Sequence, residues 1–313
     1  MSNSRSFRAH GKLMLFGEYF VLDGCTALAW PTRFGQSLAV SSDSVQVRGM
    51  YWKSFDHKGH IWFEAYFDEE LNLLHGLQDE VATRLQKFLM HARALNPNFL
   101  KDGLYHEAQI TADYPSEWGL GSSSTLISLI AQWAGIDAMD LFFRSFTGSG
   151  YDIACAEAKG PIVYNLLDEN KADWKEIELG GFLQQDVYFV YLGQKQDSRE
   201  GIQHYREQEK GGPALFALNT LIENYQANPS RNQLLVSMDE SEQLIGEALN
   251  LVQVKTKLFS DFPGAIKSLG AWGGDFVMAL AADSNLDTRS YFQENGYATI
   301  YEAKEILLPT SFK

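Results

Sequence analysis

Gly119-Leu120-Gly121-Ser122-Ser123-Ser124 stands directly before an apolar run in which Leu126, Leu129, Ile130, Trp133 and Ala134 recur at helical spacing. The chemistry open to such a segment is anion binding. The first N–H groups of a helix have no internal partners, and the helix dipole is positive there. Glycines let a ligand approach the backbone with no Cβ in the way, and serine hydroxyls add donors for phosphate oxygens or a metal. A plain serine helix cap is the competing reading, although a cap needs one Ser and no Gly-x-Gly before it. Other signatures are missing. There is no GxxxxGK[ST], the third glycine of a dinucleotide fingerprint is replaced by Ser, and there is no GxSxG elbow. Asp275-Phe276-Val277 is not the DFG of a protein kinase.

The surrounding chain has 313 residues, 45% hydrophobic and 13% aromatic, ample for a sizeable core. Its formal net charge of −14 and lack of a basic stripe argue against a nucleic-acid partner. Cys25 and Cys155 are far apart and in no CxxC spacing, so neither a disulfide framework nor a structural zinc site is expected. The polar N-terminus and the lack of a long uncharged apolar stretch predict a cytoplasmic protein with no membrane partner.

Strands are expected at Lys12–Leu22, around Gly17, and at "SLAVSSDSVQVRGM", "IWFEAYF", "YHEAQITADYP" and "DVYFVYLG". Leu74, Leu77, Val81, Leu85, Phe88 and Ala92 step by three or four and predict a helix ending near Pro97. "QLLVSMDESEQLIGEALNLVQV" predicts another, "IKSLGAWGGDFVMALAA" a glycine-rich loop feeding a strand, and "YATIYEAKEILL" a strand near the end. The polar stretch Leu166–Gly181 predicts a boundary, giving lobes 1–166 and 167–313. Strands and helices do not alternate regularly, so the fold class is α+β in two lobes.

Four segments then carry a resemblance, in order along the chain. "PSEWGLGSSS" resembles the PxxxGLGSSAA phosphate loop of the GHMP kinase superfamily, which includes galactokinase, homoserine kinase, mevalonate kinase and phosphomevalonate kinase. "GKLMLFGEYFVLDGCTAL" (Gly11–Leu28) resembles its first motif, with Tyr19 where many members have His, and "GEYxVL" is the form associated with the phosphomevalonate kinase branch. "GSGYDIACA" (Gly148–Ala156) resembles the segment with the catalytic aspartate, and the chain is similar to the subgroup named for its "GYDIA" signature. "KSLGAWGGDF" (Lys267–Phe276) resembles the third motif.

The resemblance implies a GHMP kinase fold, with an N-terminal mixed α/β lobe for nucleotide and a ferredoxin-like C-terminal α+β lobe. It implies ATP and Mg²⁺ as cofactors and transfer of the γ-phosphoryl group to a small alcohol or phosphate acceptor, in a monomer or homodimer. It gives Asp152 the role of base and Lys12 that of electrostatic partner. Gly119, Leu120, Gly121, Ser122, Ser123 and Ser124 would hold the nucleotide phosphates, with the Ser123 hydroxyl on Mg²⁺. Glu18, Lys195, Ser198, Arg199, Gly270 and Ala271 would line the acceptor side. Two departures stand out. The mevalonate kinase pattern has a metal-binding Glu eleven residues before the catalytic Asp, where this chain has Leu141, with Asp140 one step off. Trp272 and Asp275 replace small residues of the third motif. A catalytically weak relative that binds nucleotide or metabolite is therefore the alternative. "HKGH" (His57–His60) reads as a loop.

Overall fold

The computed structural model describes residues 3–44, 48–76, 79–179, 183–194, 198–208, 212–270, 272 and 274–310. They divide into two compact units that interleave along the chain. The first comprises Met1–Gly11, Phe34–Ser116 and Leu120–Glu157, and the second Lys12–Arg33, Glu117–Gly119 and Ala158–Lys313. The interleaving arises because two strands, β1 (Asn3–Phe16) and β2 (Ala27–Asp43), are long enough to serve both units.

In the first unit β2 is followed by β3 (Gly49–Phe55), β4 (Ile61–Phe67), β5 (Leu73–His75), α1 (Glu80–Leu95), β6 (Tyr105–Ala112), α2 (Ser122–Ala134), α3 (Ala138–Ser145) and α4 (Tyr151–Glu157). The sheet order is β5-β4-β3-β6-β2, with β1 also on β2, and β3 and β6 run parallel. Alternation in β4 sends Phe63, Ala65 and Phe67 inward, where they join Trp52, Phe88, Leu129 and Ile130 in one core. The helix expected from Leu74 begins later. Leu74 belongs to β5, Leu77 lies outside the described residues, and Asp79 caps α1 by accepting from the Ala82 N–H at 2.8 Å. Gly76, at φ 129°, sits where a Cβ would meet the Glu64 carbonyl at 3.0 Å, so the chain turns out of β5 before it can coil. "HKGH" forms the β3–β4 turn, whose backbone N–H groups at Lys58 and His60 donate to Asp56.

In the second unit the expected first strand stops at Phe16. Gly17 turns the chain and Phe20–Asp23 forms a short 3-10 turn. The polar stretch after Leu166 is a hairpin, β7 (Ile162–Asp168) with β8 (Lys171–Glu176); β8 is polar because it is an edge strand, largely exposed. Then come α5 (Leu183–Asp186), β9 (Val187–Tyr191), α6 (Ser198–Glu207), α7 (Gly212–Ala227), α8 (Arg231–Leu249), α9 (Val254–Leu258), β10 (Gly264–Ser268), β11 (Phe276–Ala281), α10 (Thr288–Glu294), β12 (Ile300–Glu302) and α11 (Ala303–Ile306). Their antiparallel sheet has the order β10-β11-β9-β12. That β-α-β-β-α-β arrangement is ferredoxin-like. β11 lies inside the sheet and is buried throughout, which is why "FVMALA" is a continuous apolar run. The strand expected in "YATIYEAKEILL" is short, because Ala303 begins α11 directly after it.

Among the described residues no helix is long and apolar enough to cross a membrane. Cys25 and Cys155 are buried, and neither forms a disulfide among the described residues.

Candidate functional site

The loop before α2 lies on a break between cap chemistry and ligand chemistry. Asp79, Asp137 and Ser230 cap α1, α3 and α8 through their side chains. At α2 the capping position is Gly121, in the left-handed region at φ 89°, and it makes no side-chain cap. The plain serine cap is therefore not what these serines provide. Ser122 is exposed, Ser123 half-buried and Ser124 buried. The Ser124 Oγ donates to Asp152 Oδ2 at 3.4 Å, and the Thr125 hydroxyl donates to Gln36 Oε1 at 2.6 Å. Asp152 stands in the first turn of α4, which packs on α2.

Within the first unit, Ser122, Ser123 and Leu126 line a cavity of about 150 Å³ whose other walls include Trp52, Trp62 and Phe63. An apolar, aromatic hollow opening beside an uncapped helix start is suited to a flat ring carrying an anionic tail.

The loop's other end belongs to the second unit. Trp118 is held by edge-on contacts with Phe276 and Tyr301, at centroid distances of 5.9 and 5.6 Å, which fixes Gly119 beside it. Lys12 Nζ donates to the Gly119 carbonyl at 3.1 Å. Gly119 itself is left-handed at φ 67°, and a Cβ there would lie 2.3 Å from Asp275 Oδ2. Asp275 is thus packed against the loop backbone, and only glycine fits opposite it.

Beside Lys12 lies a buried charge network. The Lys267 ammonium pairs with Glu18 Oε1 and donates to the Ser268 carbonyl at 3.0 Å. Glu242 of α8 accepts from the Ser268 N–H at 2.9 Å and from its hydroxyl at 2.8 Å. Burial pushes the Glu18 carboxyl up despite the opposing charges of Lys267 and Lys12. Burial also pushes Glu242 up, to about 6, against the pull of Lys267 and the Ser268 bonds. Lys267 and Glu242 were not anticipated from sequence. Lys267 was visible only as the first letter of the third motif. Glu242 shares the buried face of α8 with Leu234, Met238, Ile245 and Leu249, and a carboxylate on such a stripe is the signal that was there to be read.

A pH dependence follows. The unfolded Glu242 titrates near 4.5 and the folded one near 6, so between those values the folded state holds more protons. The stability contributed by this group is complete below pH 4.5 and lost as pH rises through 6, a change of about 2 kcal/mol. Glu242→Gln, which can still bond Ser268, is expected to flatten that part of the pH profile in denaturant unfolding. An unaltered profile would assign the dependence elsewhere.

Glu18 leads into a strained turn. Tyr19 has φ 62° and ψ −49°, and the Phe20 N–H donates to the Glu18 carbonyl at 2.7 Å, closing a γ-turn of the rarer, positive-φ kind. The Tyr19 ring stacks on Tyr205 of α6 at 5.7 Å. Gly201 of α6 lies so close that a Cβ would meet the Tyr19 hydroxyl at 2.4 Å. The structure therefore brings α6 onto the first motif. The candidate acceptor residues are only partly visible. Lys195 and Ala271 lie outside the described residues; Ser198 and Arg199 begin α6, but their side chains lie outside the described set. Gly270 is described, left-handed at φ 65°. Trp272 is buried against Gly246 of α8, a Cβ on which would approach it to 3.1 Å, so this ring covers the core. Leu141 is buried in the core of the first unit, and Asp140 is exposed on α3.

No protein-family description and no curated protein matches this sequence. Solved structures do. The Methanococcus jannaschii mevalonate kinase superposes with a TM-score of 0.70 at 15% identity, covering 98% of this chain and 99% of that one. Streptococcus pneumoniae phosphomevalonate kinase, in complex with phosphomevalonate and AMPPNP, gives 0.68 at 16% identity over 95% and 99%. The fold is that of the GHMP kinases. Lactococcus lactis galactokinase, complexed with galactose, shares this GHMP kinase fold with a TM-score of 0.68 at 13% identity over 99% and 94% of the two chains.

Proposed function

We propose that this chain is an ATP-dependent kinase of the GHMP type that transfers the γ-phosphoryl group to an alcohol or phosphate group of a small molecule, in the manner of mevalonate and phosphomevalonate kinases. The observation that carries the reading is the uncapped, glycine-led start of α2 beside a cavity walled by Trp52, Trp62 and Phe63. That cavity takes the nucleoside base, and the backbone of Gly119–Gly121 with the hydroxyls of Ser122, Ser123 and Ser124 takes the phosphates. Asp152 accepts or steers the proton of the acceptor hydroxyl, and Lys12 offsets charge on the moving phosphoryl group. Glu18, Lys195, Ser198, Arg199, Gly270 and Ala271 are assigned to the acceptor. The half-buried Ser123 hydroxyl is a suitable oxygen donor for Mg²⁺, which supplies charge neutralisation of the triphosphate when bound.

The reading is tested by ADP release from Mg-ATP over a panel containing mevalonate, phosphomevalonate, galactose, homoserine and unrelated alcohols. Release with at least one acceptor, well above the water-only rate, is the expected result. Asp275, a carboxylate packed against the loop, favours a second reading, a weakened relative that only binds nucleotide. Nucleotide binding with a flat response across the panel would select it.

A further inference from the structure

We propose that Gln36 reads the base of the bound nucleotide by donating its side-chain amide N–H to a ring nitrogen, with the Ser54 hydroxyl as a second donor; the inference rests on the kinase reading above. Both residues line the cavity of about 150 Å³ beside the start of α2, and all of its lining residues belong to the first unit. Trp52, Trp62, Phe63, Leu85 and Ile110 make most of the wall apolar. Gln36 and Ser54 are its buried polar residues, only 8% and 3% exposed.

Neither of them has used all its hydrogen-bonding capacity. A glutamine amide carries a carbonyl acceptor at one end and two N–H donors at the other. Gln36 Oε1 accepts from the Thr125 hydroxyl at 2.6 Å, while Nε2 has no partner among the described residues. Thr125 is itself buried in the first turn of α2, so this bond fixes which end of the amide is free. On β3, Trp52 and Ser54 share the inward face, and Ser54 Oγ accepts from the Trp52 indole N–H at 3.0 Å. The Ser54 O–H then meets no acceptor among the described residues. Donors left in a buried wall are costly until a ligand brings acceptors to them. No Asp or Glu lines the cavity, so a ring rich in acceptor nitrogens enters without repulsion. The Thr125 bond also ties the base-reading amide to the helix start to which the phosphates are assigned.

The test is calorimetric titration of the full chain, in excess Mg²⁺, with ATP and its 1-deaza, 3-deaza and 7-deaza analogues. Each analogue replaces one ring nitrogen by C–H and so deletes one acceptor. Purine riboside triphosphate, which lacks the 6-amino group, completes the series. At least one deaza analogue is expected to bind the wild type about tenfold more weakly than ATP, the scale of a buried donor left unpaired. In Gln36→Leu the affinity for ATP should fall to that of this analogue, closing the gap between them. Gln36→Glu keeps the acceptor for Thr125 and replaces the free donor by an acceptor; it serves as a second variant should the leucine not fold, and should close the same gap. A gap that persists in a folded Gln36 variant overturns the assignment. So does a loss confined to the analogue without the 6-amino group, which would show Gln36 accepting instead of donating. ATP binding with no discrimination among the analogues sinks the base-reading proposal alone; no binding of any nucleotide sinks the kinase reading with it.

Discussion

Asp152→Asn is expected to lower turnover by about 10²-fold or more, the scale of a lost general base. The substitution keeps the size of the side chain and its ability to accept from the Ser124 hydroxyl, and removes only the charge. Nucleotide affinity should change little, because the phosphates are assigned to loop backbone and serine hydroxyls. Lys12→Met should also depress turnover. The double variant should lose less than the product of the two, since residues acting on one transition state do not contribute independently. Steady-state kinetics paired with nucleotide titration separates these outcomes. Near-normal turnover in Asp152→Asn would refute the proposed chemistry and leave the fold untouched.

The second large effect is at Gly121. Valine there must adopt φ 89°, a conformation β-branched residues resist, and it places two methyl groups at the start of α2 where the anion is expected. Nucleotide affinity should fall at least tenfold, by an order-of-magnitude argument from losing the backbone cradle. Strain alone must be separated from blockage. Gly135 offers the control: it ends the same helix, at φ 65°, and a Cβ added there would meet nothing within 4 Å. Gly135→Ala should cost about 1 kcal/mol of stability and leave nucleotide affinity unchanged. Equal affinity in Gly121→Val and the wild type, both folded, would remove this loop from the site.

The order of motifs along the sequence carried much of the fold, because backbone-dominated loops cannot tolerate other residues. Gly119 illustrates this: its left-handed φ and its contact with Asp275 admit no Cβ. Periodicity placed α2, α8 and β4 well, since each buries one clear face. It failed at Leu74, where a strand residue kept helical spacing with a helix that starts later. The buried pair of Lys267 and Glu18 was hidden for another reason. A charge that finds its partner 249 positions away leaves no local pattern. The polar stretch after Leu166 looked like a boundary because an edge strand and a linker share the same exposed composition. The compact units follow the long strands instead, and strand length across two units is a tertiary property.

The interleaving has a consequence for how the chain is made. Residues 12–33 leave the ribosome early, yet their partners in the second unit arrive last: the Trp30 indole donates to the Leu308 carbonyl at 2.9 Å, and the Leu308 N–H donates to the Pro31 carbonyl at 2.9 Å. At about 5–20 residues per second, that early segment waits roughly 15–60 s for its neighbours. The segments of the first unit, by contrast, have all been synthesised once Glu157 has been added. Nascent Phe16, Phe20 and Trp30, all buried in the folded chain, thus lack second-unit neighbours such as Leu308 until late in synthesis, and the second unit is the later of the two to have all its segments made.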